Sequence, residues 1–222
     1  MGIVTGYVSL ILLLWLLIRF VARKLHWNKV NRVLSKSHKV VAFLFIGISL
    51  VHFALVLKVL EGRHILVTVS GVVMLAAGIL MTVLHYIIKD RRLGRKIHLV
   101  FSTVMAVMLV VHIVAYVVDF SNYLQAVKAI QLEGIDLNMV EDGTYVGEYD
   151  AGYVYAKVRV TVDHHTITNV DLLKHLTERG KPAEVIADTM VQKQSIEVDA
   201  VSGATNSSRV IMKACENAIA KK

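Results

Sequence analysis

Four of the chain's ten histidines recur in two equal steps: His38 and His52, then His98 and His112, each pair 14 residues apart. Fourteen residues of α-helix rise about 21 Å and complete nearly four turns, so both members of a pair face the same way. On two helices that run parallel, His38 lies level with His98 and His52 level with His112. Two imidazoles facing each other at one depth can ligate a single haem iron from both sides. The spacing therefore predicts two haem b sites with His38, His98, His52 and His112 as ligands. Ala42, Phe45 and Ser49 fall on the first face, and Ser102 and Met105 on the second. Small residues there would let a flat macrocycle approach, and they serve plain helix packing equally well. His64 and His85 lie at the ends of apolar runs, the ordinary place for a hydrated interfacial imidazole.

A second stretch with chemical potential is VDAVSGATNSS, residues 198–208. It is expected at a strand-to-helix junction. Gly203 permits a tight turn or a close approach of backbone to ligand. The amides that follow form a helix N-terminus, where phosphate is favoured, and Thr205 brings a hydroxyl to that spot. On these grounds alone Thr205 serves equally well as the N-cap of that helix.

The elements that carry the histidines are apolar. The chain has 222 residues, 55% hydrophobic, a mean hydropathy of +0.58 and one proline. Four runs, near residues 3–22, 38–60, 65–88 and 97–118, reach the roughly 20 residues needed to cross a bilayer. Residues 1–120 hold 14 Lys+Arg against three acids, and the remainder holds 11 against 14. Seven bases lie between Arg19 and Lys39, around the end of the first run, and five follow the third, whereas Lys58 and Arg63 alone flank the end of the second. The positive-inside rule places the two basic segments in the cytoplasm, and the N-terminus and the polar half outside. Lys36, Arg92, Arg95 and Lys96 are candidates to meet haem propionates on the inner side, and Lys58 or Arg63 on the outer. Clustering of the bases at span ends argues against nucleic acid as a partner and for membrane lipid. Cys215 is the only cysteine, which excludes an intrachain disulfide and a cysteine metal cluster.

The expected organisation is a four-span membrane domain over 1–120, a linker over 121–140 and a soluble domain over 141–222. Residues 142–149 and 153–163 alternate as half-buried strands do, and 164–173 continue as a turn and a third strand. His164 and His165 read as that turn, without an evident third metal ligand. Residues 181–194 and 206–220 have helical spacing, the latter with Val210, Ile211, Ala214 and Ala218 on its apolar face. The fold class is thus a membrane all-α four-helix bundle followed by a small extracytoplasmic α+β domain. A short repeat, RVLSKSHKV at 32–40 against RLGRKIHLV at 92–100, points to two related helix pairs.

The two paired-histidine helices, over about residues 30–118, resemble the di-haem core of ferric-reductase-like membrane proteins and other di-haem b cytochromes. The run DGTYVGEYDAGYVYAKVRVTV, then LLKHLTERG, then QSIEVDAVSGATNSSRVIMKACENAI, resembles the FMN-binding domain family over about 141–220. That family includes the flavin-carrying subunits of the sodium-pumping NADH:quinone reductase and of the Rnf complex. The resemblance implies an FMN cofactor held by Ser202, Gly203, Ala204 and Thr205, with Asp199 as the acid of the motif. It implies a phosphoester between FMN and Thr205, made by a flavin transferase working outside the cytoplasm. Ser207 matches a second hydroxyl common in covalent members, and His175 and Gln194 recur in the pattern and are expected near the flavin.

Together these readings predict a transmembrane flavocytochrome. Its donor would be quinol or a cytosolic reductase, and its acceptor would lie outside. The alternative is a haem-free, membrane-anchored flavin sensor or assembly subunit, in which the histidines only pack. A metal-ion transporter is a third reading, weakened by the lack of an intramembrane carboxylate.

Overall fold

A computed structural model describes residues 2–220, apart from the side chain of Lys58. The proposed role of that side chain therefore lies outside the described residues. The chain divides into two compact units, Met1–Leu60 with His64–Tyr116, and Glu61–Arg63 with Val117–Lys222.

Four helices, α1 (Gly2–Lys24), α2 (Asn28–Val56), α3 (Ile65–Ile87) and α4 (Arg91–Lys128), make up the first unit, and the end of α4 belongs to the second. All four are long and apolar enough to cross a membrane. α1 and α3 keep to their apolar runs within two residues, whereas α2 and α4 depart from theirs. α2 begins ten residues before His38, so most of the basic segment after the first run is helical. α4 continues to Lys128, through the first part of the expected linker. Both differences have one cause: hydropathy marks what lipid can cover, whereas backbone hydrogen bonding continues past the apolar stretch until a breaker intervenes. His26 supplies one such break, with φ of +56° between α1 and α2.

The side chains of this unit are arranged for an apolar solvent. Val4, Ile11, Phe20, Val40 and Val110 are exposed, while Ser70 is buried and Ser9 nearly so, the latter accepting from Ser49 at 3.4 Å. In a bilayer, lipid would solvate the large apolar groups, and small or hydroxylated residues go to helix–helix contacts. A single apolar cluster, Leu13, Phe45, Met74, Ala77 and Met105, ties the helices together. Phe45 and Met105 meet at Gly78, where an added Cβ would lie 3.4 Å from Phe45 and 3.7 Å from Met105.

In the second unit three antiparallel strands, β1 (Gly143–Asp150), β2 (Tyr155–Asp163) and β3 (Thr166–Leu176), form a sheet in the order β1-β2-β3. Alternation along β2 buries Ala156, Val158, Val160 and Val162 on one face. A short 3₁₀ turn (Lys181–Val185) and α5 (Ile186–Lys193) follow, then α6 (Thr205–Ile219). α6 buries Val210, Ile211, Ala214 and Ala218 against the sheet. Its approach to β1 is close because residue 147 is glycine: a Cβ there would sit 2.3 Å from the Ala214 carbonyl oxygen. The opposite face of α6 holds the 130–133 segment. Arg209 donates to the Ile130 carbonyl, Lys213 to the Gln131 carbonyl, and buried Glu216 accepts from the Glu133 amide.

The expected strand before VDAVSGATNSS does not form. Ile196 and Val198 still alternate into the core, but residues 196–200 pair with no strand and carry no regular structure. The alternation reflects anchoring of a coil segment, not a ladder.

Candidate functional site

Two groups of residues carry chemistry, one in each unit. In the helical unit His38 on α2 and His98 on α4 face each other, with ring centroids 5.9 Å apart and planes tilted by 36°. Two imidazoles bound to one metal ion from opposite sides, at about 2 Å per metal–nitrogen bond, have ring centres about 6 Å apart. The ring spacing is compatible with a shared metal ion. A cavity lined by Met81, Leu84, His85, Ile97 and His98 opens beside it, which places His85 next to this pair and not apart from it. Ser102, one turn along, hydrogen-bonds His98 Nδ1 at 3.1 Å.

His52 and His112 occupy corresponding places on α2 and α4, and each ring is held by the helix preceding its own. His52 Nδ1 lies 2.9 Å from the Gly2 carbonyl oxygen and 3.2 Å from Thr5 Oγ1. His112 Nδ1 lies 3.0 Å from both the Val67 carbonyl oxygen and Ser70 Oγ. Sequence reasoning missed these partners. The signal was present in GIVTG (2–6) against VTVSG (67–71), too short to stand out. His64 is the N-cap of α3, accepting from the Leu66 amide at 3.2 Å. Arg63 is not open to a propionate: it pairs with Glu178 and lies over the Tyr153 ring.

In the second unit the 198–208 stretch is a turn running into α6. Gly203 has φ of +77°, a left-handed conformation that favours glycine, and nothing stands within 4 Å of where its Cβ would be. The turn is closed by buried Ser208, whose hydroxyl accepts from the Val201 amide at 3.0 Å and donates to the Ala204 carbonyl at 3.1 Å. Ala204 takes the N-cap position and provides no side-chain cap. Thr205 is thus the first helical residue, exposed, with no hydrogen bond to its hydroxyl among the described residues, so the cap alternative falls away. The leading amides of α6 are without a side-chain acceptor at an exposed end, the setting in which a phosphate group is stabilised.

The neighbouring hydroxyls are differently placed. Ser207 is buried and lies 3.3 Å from Thr177 Oγ1, which in turn accepts from the Gly180 amide at 2.8 Å. A Cβ on residue 180 would fall 1.7 Å from Ser207 Oγ, so glycine is required there by space. Asn206 donates to Tyr123 Oη at 2.8 Å, and Tyr123 stacks on Tyr153 at 5.2 Å. These contacts fix both residues after Thr205.

Residues 152–220 match the FMN-binding domain family. The match covers the 198–208 turn and points to a flavin-carrying redox protein. No curated protein and no solved structure matches the chain.

Within the FMN-binding domain the remaining expected residues divide. Ser202 and Asp199 are exposed near Thr205 in sequence, and Asp199 pairs with Lys193 at 2.9 Å. The hydrogen bond and charge of Lys193 hold the Asp199 carboxyl below its ordinary value of 3.8. Gln194 caps α5 in a left-handed conformation, its amide spent on the Ile167 backbone (2.8 and 2.9 Å) and the Val191 carbonyl (2.6 Å). It clamps α5 to β3, and no amide hydrogen is left over for a flavin. The His175 side chain is 3% exposed, with Nδ1 3.0 Å from Glu184 Oε1 and a buried Nε2 that lacks a partner. His164 and His165 form the expected turn, both with positive φ. Asp142 and Asp163 do approach His164 closely enough to share an ion, but all three are exposed.

Proposed function

We propose that the protein is a transmembrane flavocytochrome whose membrane helices hold two haem b groups and whose FMN-binding domain lies outside the cytoplasm. The observation that carries this reading is the facing His38–His98 pair at 5.9 Å in the same chain as an FMN-binding domain. His38 with His98, and His52 with His112, supply imidazole nitrogens to iron. Thr205 offers the oxygen for a phosphoester to FMN, attached by a flavin transferase. Gly203 keeps the approach open, and the α6 N-terminus favours the phosphate by roughly 0.3–1 kcal/mol. When bound, these groups would pass electrons from quinol or a cytosolic reductase across the membrane to an external acceptor. The bases clustered where α1 meets α2 and where α3 meets α4 support the orientation.

Ser207 and Ser208 are buried and Thr205 is exposed, which supports Thr205 as the reactive hydroxyl of α6. In protein co-expressed with the transferase, Thr205→Val should abolish flavin fluorescence that survives a denaturing gel, and haem content should not change. Gel-stable flavin in the variant would overturn covalent attachment at Thr205. External protease should remove the FMN-binding domain from right-side-out vesicles, and protection there would reverse the orientation.

A further inference from the structure

The helical unit repeats a three-part device around its second pair of histidines. On α1 the parts are the Gly2 carbonyl, the Thr5 hydroxyl and Gly6. On α3 they are the Val67 carbonyl, the Ser70 hydroxyl and Gly71. Within each set the hydroxyl follows the carbonyl by three residues and the glycine by four, which puts them on one helix face. The carbonyl and hydroxyl meet His52 Nδ1 or His112 Nδ1 at 2.9–3.2 Å. The glycine gives the ring its space: a Cβ on residue 6 would lie 3.1 Å from His52 Cε1, and one on residue 71 would lie 3.3 Å from His112 Cε1.

The protonation state follows from the partners. A backbone carbonyl only accepts, so the 2.9 and 3.0 Å contacts require a proton on Nδ1 in both histidines. Each hydroxyl directs its own proton elsewhere: Thr5 donates to the Gly2 carbonyl at 2.8 Å, and Ser70 to the Leu66 carbonyl at 2.5 Å. A hydroxyl oxygen that donates its proton elsewhere can still accept, so both can take a hydrogen bond from Nδ1 as well. With Nδ1 protonated and a neutral ring, Nε2 carries the lone pair. We infer that α1 and α3 support the two histidines in equivalent ways, and that Thr5, Gly6, Ser70 and Gly71 are positioning residues that preset Nε2 of His52 and His112 as metal-binding atoms. The first pair lacks the device: among the described contacts, His98 Nδ1 meets only Ser102 of its own helix. A hydrogen bond from Nδ1 strengthens the imidazole as a donor to iron and stabilises the oxidised metal. The His52/His112 site should therefore be the lower-potential of the two.

This inference rests on the haem reading for its potentials but not for its tautomers, and the two parts are tested separately. In haem-depleted protein with ¹⁵N-labelled histidine, His52 and His112 should give the Nδ1–H pattern, assigned by loss of signals in His52→Gln and His112→Gln. The Nε2–H pattern at both would overturn the inference whatever the haem content. In haem-loaded protein, Thr5→Val combined with Ser70→Ala should raise the lower of two midpoint potentials and leave the upper unchanged. Thr5→Ser should keep the wild-type value. A shift of the upper potential alone, or none, would refute the positioning role. Gly6→Leu and Gly71→Leu should each disturb the low-potential haem spectrum. If they do not accumulate, Gly6→Ala and Gly71→Ala are read for the same spectral shift, and an unchanged spectrum counts against the glycines. Wild-type protein without haem would sink the functional reading while leaving the tautomer test in force.

Discussion

The two units bury opposite kinds of residue. In the FMN-binding domain the interior is Val158, Val160, Ile167, Ile211 and Ala214, all with no exposed surface. In the helical unit most large apolar side chains face outward, and the contacts between helices use Ser9, Ser70, Gly71 and Gly78, with Phe45 and Met105 as the main bulky insert. One unit is driven together by water leaving apolar surface. In a bilayer the other would have no such force between its helices and would depend on close packing and hydrogen bonds. The difference teaches where function can hide: polar groups inside the helical unit are few, so each one that meets a histidine carries information.

The comparison is broken most strongly by one carboxylate placed in each unit. Ile211→Asp puts an unpaired charge into a fully buried site and should unfold the FMN-binding domain, a loss above about 4 kcal/mol. Val110→Asp on the outer face of α4 should cost about 2.5–3.5 kcal/mol of insertion energy and leave the domain folded. Cys215 reports the difference. Burial pushes its thiol up to about 12, so alkylation at pH 8 should be very slow in wild type and in Val110→Asp, and fast in Ile211→Asp.

Glycines give a smaller contrast. Gly147→Ala forces a Cβ onto the α6 backbone and should cost about 1–3 kcal/mol by thermal unfolding of the domain. Gly47→Ala in α2 meets nothing within 4 Å and should stabilise by up to about 1 kcal/mol. Within the 198–208 turn, Ser208→Ala loses both closing hydrogen bonds and should cost about 1–3 kcal/mol. Exposed Thr205→Val should change stability by no more than about 0.5 kcal/mol, so its loss of flavin would not be a folding effect.

The smallest effect is electrostatic. Asp199 is held below 3.8 by Lys193, so the pairing is complete above the ordinary carboxylate value and is lost as pH falls through the lowered one. Lys193→Met should move the Asp199 titration, followed by NMR, back up towards 3.8. Both groups are exposed, so the melting temperature at pH 7 should hardly change.

The sequence carried the large features because each had a period. Alternation marked β1 and β2, helical spacing marked α6, and the 14-residue step aligned His38 with His98. The positions of Gln194 and Ser207 were not legible. Both look like site residues by pattern, yet Gln194 is consumed by the Ile167 backbone and Ser207 by burial against Gly180. Such assignments depend on which long-range partner claims a polar group, and no local pattern records that. The same holds for Gly6 and Gly71, whose purpose appears only when the His52 and His112 rings are seen against them. The SGAT turn kept its left-handed glycine and its helix start, while the strand expected before it was a coil with a misleading alternation.

Cofactor stoichiometry of the purified full chain, co-expressed with a flavin transferase, tests the central claim most directly. Haem extraction and acid-released or gel-retained flavin should give two haem b and one FMN per chain. His38→Ala should remove one haem, and the FMN should stay. A preparation with one FMN and no haem would contradict the flavocytochrome account and leave a membrane-anchored flavoprotein.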